Sequence, residues 1–342
     1  MERVSQLILR NLSRMGQGNT LLINPPRDSC FRQLSEGTHD LSLFTQDFGD
    51  FKWLQESGAE VSYGVLPSPA PTVEQIILVQ PRERDRLTMM LHSLAATMPA
   101  GARLWLVGEN RTGIKSSAKR LSPFFNRVSK TDSARHCGLF EAAEPGMEHP
   151  FRLSDYEKSW SASTRCGKVE VISLPGAFAH GNLDKGSELL LETLSDLKPT
   201  GQVLDFACGS GVIGLSLLDM NPETELTLLD SSAIALESTR RSLRINGRQA
   251  TVLASDGLME LEGKFDWIVT NPPFHRGVDH DFEIAQRFFS DAGDFLHKAG
   301  KILLVCNQHL PYPAWLKAYF ANVESVSANR GFKVIMADGI RK

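Results

Sequence analysis

Short continuous apolar runs recur along the chain: Leu21-Leu22-Ile23, Ile76-Ile77-Leu78-Val79, Leu104-Trp105-Leu106-Val107, Leu226-Thr227-Leu228-Leu229 and Ile302-Leu303-Leu304-Val305. Each has the length of a strand covered on both faces. Helical spacing lies between them. Val4, Leu7, Ile8 and Leu12 make one stripe of an amphipathic helix over 1–18, and Leu189, Leu190, Leu194 and Leu197 make another over 186–197. Strands and helices in alternation predict an α/β, doubly wound parallel sheet with ligands at the strands' carboxyl ends. Val252-Leu253-Ala254 adds a strand, Ser231 is expected to cap the helix running through Arg244, and 323–336 predicts a closing hairpin turning at Asn329-Arg330-Gly331.

The pattern also repeats. Gln75-Ile76-Ile77-Leu78-Val79-Gln80-Pro81 parallels Asp266-Trp267-Ile268-Val269-Thr270-Asn271-Pro272, and Ala100-Gly101-Ala102-Arg103-Leu104 parallels Ala299-Gly300-Lys301-Ile302-Leu303. From proline to glycine the first copy runs 20 residues and the second 28, the extra length falling around 274–280. Where the second copy has Asn271-Pro272-Pro273-Phe274, the first has Gln80-Pro81-Arg82-Glu83. The expectation is two tandem Rossmann-like sheets, residues 1–160 being a degenerate duplicate of 161–342. Two unrelated α/β domains are the alternative, since strand–helix–strand units resemble one another. The polar stretch 141–168, with Pro145, Gly146 and Pro150, reads as the connection. Asn24-Pro25-Pro26 ends an early strand with no glycine turn before it and Arg27-Asp28 after it, so it reads as a turn alone.

Candidate chemistry sits in two stretches of the second copy. Residues 203–214, V-L-D-F-A-C-G-S-G-V-I-G, read as strand, glycine turn and helix start. Gly209, Gly211 and Gly214 form a G-x-G-x-x-G, which alone would suit a dinucleotide. Asp205 argues otherwise. It sets a carboxylate in the turn, four residues before the first glycine, where a pyrophosphate is repelled and an ammonium or sulfonium is attracted. S-adenosyl-L-methionine carries both cations, and its own carboxylate suits the helix N-terminus. An ordinary strand–turn–helix without ligand is the plainer alternative. In the second stretch an apolar strand runs into Asn271-Pro272-Pro273-Phe274. Prolines cannot continue a ladder. The Asn271 side-chain carbonyl and the Pro272 backbone carbonyl then offer two convergent acceptors for an NH2 group, and Phe274 offers a ring to stack on a planar base. These three are the expected catalytic residues.

With these motifs in this order, the chain resembles the class I Rossmann-like methyltransferases, and closely the ribosomal RNA small subunit methyltransferase C family. The stretch Pro175-Gly176-Ala177-Phe178-Ala179-His180-Gly181-Asn182-Leu183-Asp184-Lys185-Gly186 adds to the likeness. The resemblance is strong over 168–342 and vaguer over 1–160. It implies cofactor binding by Asp205, Gly209, Gly211, Asp230 on the ribose hydroxyls and Asp256 near the adenine amine, with Phe178 and Lys185 at the substrate. It implies methylation of guanine N2 at position 1207 of 16S rRNA within the 30S subunit, by a cytoplasmic, monomeric enzyme. Adenine N6, another rRNA guanine and protein glutamine remain rivals, because an amide and an aniline-like amine need the same acceptors. From other classes, a dinucleotide oxidoreductase shares the glycines, and a non-enzymatic RNA-binding assembly factor would need neither Asp205 nor Asn271.

Composition narrows this modestly. A chain of 342 residues with 42% hydrophobic and 23% charged side chains matches a soluble, two-domain protein. No run of 18 apolar residues predicts a membrane span, and the N-terminal apolar run is too short for a signal peptide. Five cysteines, at 30, 137, 166, 208 and 306, form no C-x-x-C pair and read as reduced thiols, with no metal site expected. The net charge of −3 gives no global pull on nucleic acid. Locally, 103–135 carries eight basic side chains, among them Arg111 and Lys115, against Glu109 and Asp132. Arg111 and Lys115 are candidate RNA-phosphate contacts; a merely solvated face is the alternative.

Overall fold

The computed structural model describes residues 1–146, 149–164, 167–178, 180–272 and 279–341. The chain forms two compact units, Met1–Glu157 and Lys158–Lys342. In the first, β1 (Thr20–Ile23), β2 (Leu41–Thr45), β3 (Val61–Tyr63), β4 (Gln75–Val79), β5 (Arg103–Glu109), β6 (Phe125–Ala134) and β7 (Cys137–Pro145) form one sheet in the order β3-β2-β1-β4-β5-β7-β6. In the second, β8 (Lys158–Thr164) and β9 (Gly167–Ser173) pair as a separate hairpin. There β10 (Gln202–Phe206), β11 (Glu225–Asp230), β12 (Thr251–Ala254), β13 (Phe265–Thr270), β14 (Leu296–Asn307), β15 (Phe320–Ala328) and β16 (Phe332–Ile340) form a sheet in the order β12-β11-β10-β13-β14-β16-β15.

The two orders are identical strand for strand, with β1 matching β10, β4 matching β13 and β5 matching β14. The repeat in the sequence is therefore a repeat of topology. In each sheet five strands run parallel, and the last two join antiparallel, so both sheets are mixed. The continuous apolar runs are explained by cover on both faces. Alternate residues of a strand face opposite ways. Leu204 and Ile268 pack with Phe289, Ile302 and Phe320, whereas Val203 and Val269 pack with Leu190, Leu194 and Leu215.

Three local expectations change. The N-terminal helix divides into Arg3–Arg10 and Leu12–Met15. At the break the buried Asn11 donates its side-chain N–H to Leu7 O (2.9 Å) and to an Asp132 carboxylate oxygen (2.8 Å), a side-chain bond that competes with helix continuation. The 141–168 stretch holds the end of β7 and all of β8, with a 3-10 turn, Leu153–Tyr156, between them. The cap of the helix Ala233–Ile245 is Ser232, whose Oγ accepts the Ala235 N–H. Asp230 Oδ1 accepts the Ser232 N–H, an Asx turn that consumes Ser231 in the bend. The closing hairpin turns at 329–331, where Asn329 Oδ1 accepts the N–H groups of Gly331 and Phe332. Among the described residues no helix is long and apolar enough to cross a membrane.

Candidate functional site

In the second sheet the strand order reverses between β10 and β13, the place where open α/β sheets leave a crevice beyond the carboxyl ends. Parallel register pairs Phe206 with Thr270 and Asp205 with Val269. The glycine turn at 207–211 and the Asn271-Pro272 segment therefore leave neighbouring strands at the same height.

The turn is left-handed at Ala207 (φ 59°), Gly209 (φ 58°) and Gly211 (φ 81°). A non-glycine residue there is strained, and such strain clusters at functional sites. The turn is tied to the end of β11: the Cys208 N–H donates to Leu229 O (3.0 Å), and the Gly209 N–H donates to Asp230 Oδ2 (3.0 Å). Thr239 Oγ1 donates to Gly209 O at 2.9 Å. Gly211 caps the helix Val212–Met220. Gly214 has a different reason to be glycine: a Cβ there would lie 2.5 Å from Leu228 and 2.9 Å from Leu226. It lets the helix approach the sheet and makes no claim on a ligand.

Asp205 lies on β10 itself rather than in the turn, fully buried. Its Oδ2 accepts the Gly214 N–H at 2.9 Å, and Oδ1 is a buried acceptor with no hydrogen-bond partner among the described residues. Burial pushes this carboxyl up to about 8; the Gly214 N–H opposes the rise and the charge of Asp230 adds to it. Below the unfolded-chain value near 4, both states hold the proton. Between about 4 and 8 the unfolded chain has lost it and the folded chain keeps it, so stability falls as pH rises. Asp205→Asn keeps the acceptor for Gly214 and abolishes that loss. Ligand-free Asp205→Asn is expected to melt roughly 3–8 °C above wild type at pH 8, and above it by much less at pH 5. Parallel melting curves at the two pH values would contradict this.

Asp230 ends β11, half-buried, its carboxylate taking the N–H groups of Gly209 and Ser232. Asp256 is half-buried just beyond β12, followed by Gly257 at φ 63°. Asn271 and Pro272 are buried at the end of β13. The Asn271 Nδ2 donates to Ser187 Oγ (2.9 Å) and faces both Asp184 carboxylate oxygens (3.3 and 3.4 Å). Asp184 is the N-cap of the helix Lys185–Leu197. Phe178 is 51% exposed, and its Cβ lies 3.6 Å from where a Gly209 Cβ would be, which puts this residue beside the glycine turn. Lys185 is exposed on the first turn of its helix. Phe274 lies outside the described residues. The second unit thus sets Gly209, Gly211, Asp230 and Phe178 together at the glycine turn, with Asp205 buried on the strand before it and Asn271 at the end of the neighbouring strand. Sequence reasoning passed over Ser187, whose contact with Asn271 spans 84 positions and has no local signal.

Residues 168–336 match the Methyltransferase small domain, and 5–160 match the Methyltransferase small domain N-terminal. Ribosomal RNA small subunit methyltransferase C of Shewanella loihica is 36% identical over 333 residues, covering 96% of this chain and 97% of that protein. Its counterpart in Stutzerimonas stutzeri is 36% identical over 98% of this chain and 99% of that one. This chain belongs to the ribosomal RNA small subunit methyltransferase C family. The solved T. thermophilus 16S rRNA N2 G1207 methyltransferase, in complex with AdoMet and guanosine, is 24% identical, with a TM-score of 0.86 over 98% of this chain and 92% of that chain; the likeness establishes the fold. Membership makes the chain an S-adenosylmethionine-dependent methyltransferase and removes the oxidoreductase and non-enzymatic readings.

In this member of the methyltransferase C family the first unit keeps the topology and replaces the chemistry. Asn24-Pro25-Pro26 stands after β1 where the glycine turn stands after β10. Gln80, matching Asn271, is buried, with Nε2 donating to Thr112 O (2.6 Å) and Oε1 accepting from Ser117 Oγ (3.0 Å). Arg86 Nε donates to Gln46 Oε1 at 2.9 Å across the corresponding strand ends. Arg111 is ion-paired with Glu109. Lys115 lines a cavity of about 470 Å³ with Lys130, Arg135 and His136, and among the described residues no acidic side chain lines it.

Proposed function

We propose that this protein methylates the exocyclic N2 of a guanine of 16S rRNA, at position 1207, in the 30S subunit. The observation that carries the reading is the Phe206–Thr270 register, which sets the Asn271 and Pro272 acceptors level with the glycine turn. The residues present fit S-adenosylmethionine. Asp205 supplies a buried carboxyl under the turn, with one oxygen lacking a partner among the described residues; it holds its proton in the ligand-free chain, and an ammonium at the methionine end would favour its charged form. Gly209 and Gly211 let the backbone approach. Asp230 and Asp256, at the ends of β11 and β12, suit the ribose hydroxyls and the adenine amine. When bound, the cofactor supplies an electrophilic methyl group on a sulfonium.

The chain's own task is positioning. A guanine N2 lone pair is delocalised into the ring. Asn271 Oδ1 and Pro272 O accept its hydrogens, localise the lone pair and aim it at the methyl group. Phe274 stacks on the base; Phe178 and Lys185 border it. Mapping the modified nucleotide after reaction with intact 30S subunits and with free 16S rRNA tests the reading. A single N2-methylguanine at that position is expected. Methylation at an adenine N6 or on a protein glutamine would overturn it.

The first unit, on this reading, docks RNA. Arg111 is partly neutralised by Glu109, so docking centres on Lys115, with Lys130 and Arg135 around the same acid-free cavity. Such contacts hold phosphate without reading sequence. Lys115→Ala with Lys130→Ala should lower the salt slope of rRNA binding by roughly one unit per lost contact, with cofactor affinity unchanged. An unaltered slope would leave this unit a purely structural role.

A further inference from the structure

We propose that Asp184, assisted by Ser187, is a positioning residue that decides which end of the Asn271 carboxamide meets the substrate amine. The inference rests on Asn271 being the acceptor. A carboxamide presents an oxygen and an NH2 of nearly equal size, and half a turn exchanges them. The two ends are opposite in function here: an amine bearing two hydrogens needs an oxygen before it, and an NH2 in that place would repel it. The site therefore works in one of two almost isosteric states, and something must choose.

The choice is made at the other end of the group. Asn271 is 7% exposed, and its Nδ2 lies 2.9 Å from Ser187 Oγ and 3.3 and 3.4 Å from the two Asp184 oxygens. A hydroxyl can donate or accept, so Ser187 alone would tolerate either state. A carboxylate only accepts. Turning Asn271 over would set its carbonyl oxygen against that carboxylate, so the NH2 stays there and Oδ1 stays opposite. Asp184 is itself held: its Oδ1 accepts the N–H groups of Gly186 (2.9 Å) and Ser187 (3.2 Å) at the start of its helix, where a negative charge is favoured. Donation to a charged acceptor also polarises the amide, leaving its carbonyl oxygen more negative and a better acceptor.

Asp184→Asn isolates this role, because asparagine is as good an N-cap as aspartate and has the same shape. The full-length variant should keep its melting temperature and bind S-adenosylmethionine as wild type does. Its single-turnover rate on saturating 30S substrate should fall about tenfold or more, since the introduced carboxamide can present either of its own ends to Asn271. Ser187→Ala, which retains the carboxylate, should lose less. In an Asn271→Ala background, Asp184→Asn should cost nothing further. A wild-type rate for Asp184→Asn overturns the proposal, as does an equal loss in both backgrounds, which would mean Asp184 acts independently. If Asp184→Asn fails to fold, a Ser187→Ala loss that persists undiminished in the Asn271→Ala background overturns it. Failure of the underlying reading looks different: Asn271→Ala alone would then leave the rate intact.

Discussion

Asn271→Ala is expected to lower the single-turnover rate by roughly 100- to 1000-fold, the usual loss when one preorganised hydrogen-bonding group is removed from a reacting centre. The expectation follows from the chemistry of the amine. Its lone pair belongs to the ring until its hydrogens are drawn to acceptors, and Pro272 O alone cannot hold both. Affinity for S-adenosylmethionine should stay within about twofold, because the acids assigned to the cofactor stand on other strands, and such a change is worth under about half a kcal/mol. Truncation also leaves Ser187 and Asp184 without the NH2 they hold, at about 1 kcal/mol of stability. Rapid-quench methylation beside calorimetry and a thermal melt separates the effects. A near wild-type rate, with the fold intact, removes Asn271 from the reaction.

Asp230→Ala should act on the other quantity. Loss of a hydrogen bond to a charged group costs about 1.5–3 kcal/mol, or roughly 10- to 150-fold in cofactor affinity. Here the aspartate also holds the Gly209 and Ser232 N–H groups, so its removal frees the glycine turn from the end of β11. The rate at saturating cofactor should change much less than the affinity. Calorimetry with unchanged affinity would end the assignment to the ribose.

Much of the architecture was legible because the apolar runs are covered on both faces, and the repeats at 75–81 and 266–272 mark matching strands of matching sheets. The hairpin of β8 and β9 was not legible. Serines, charges and Ile172 alternate on its outward face, and its inward face, Trp160, Ala162, Val169 and Val171, mixes the largest side chain with small ones across two strands, so neither strand carries a clean apolar run. Asn11 breaks its helix through Asp132, 121 positions away, which no helical pattern records. At the site, the motif residues could be found because their types are constrained by chemistry. Asp205 was misplaced by a short step, into the turn, because spacing to the glycines says nothing of which way a strand residue points. The holding of Asn271 by Asp184 and Ser187 was invisible for a plainer reason: a hydrogen bond between residues 84 and 87 positions apart exists only once the chain is folded.

Each sheet takes all its strands from its own unit, with none exchanged across the boundary at 157. For a chain made from its N-terminus this sets a schedule. Domains fold as units as they emerge, at about 5–20 residues per second. Residues 1–157 can complete their sheet while translation of the remaining 185 continues for about 10–40 s. The second sheet cannot close so early: its central strand β10 waits for β13, and β14 waits for β16, the last strand made. A nascent chain would carry its basic cavity, already formed, well before it has a place for the methyl donor.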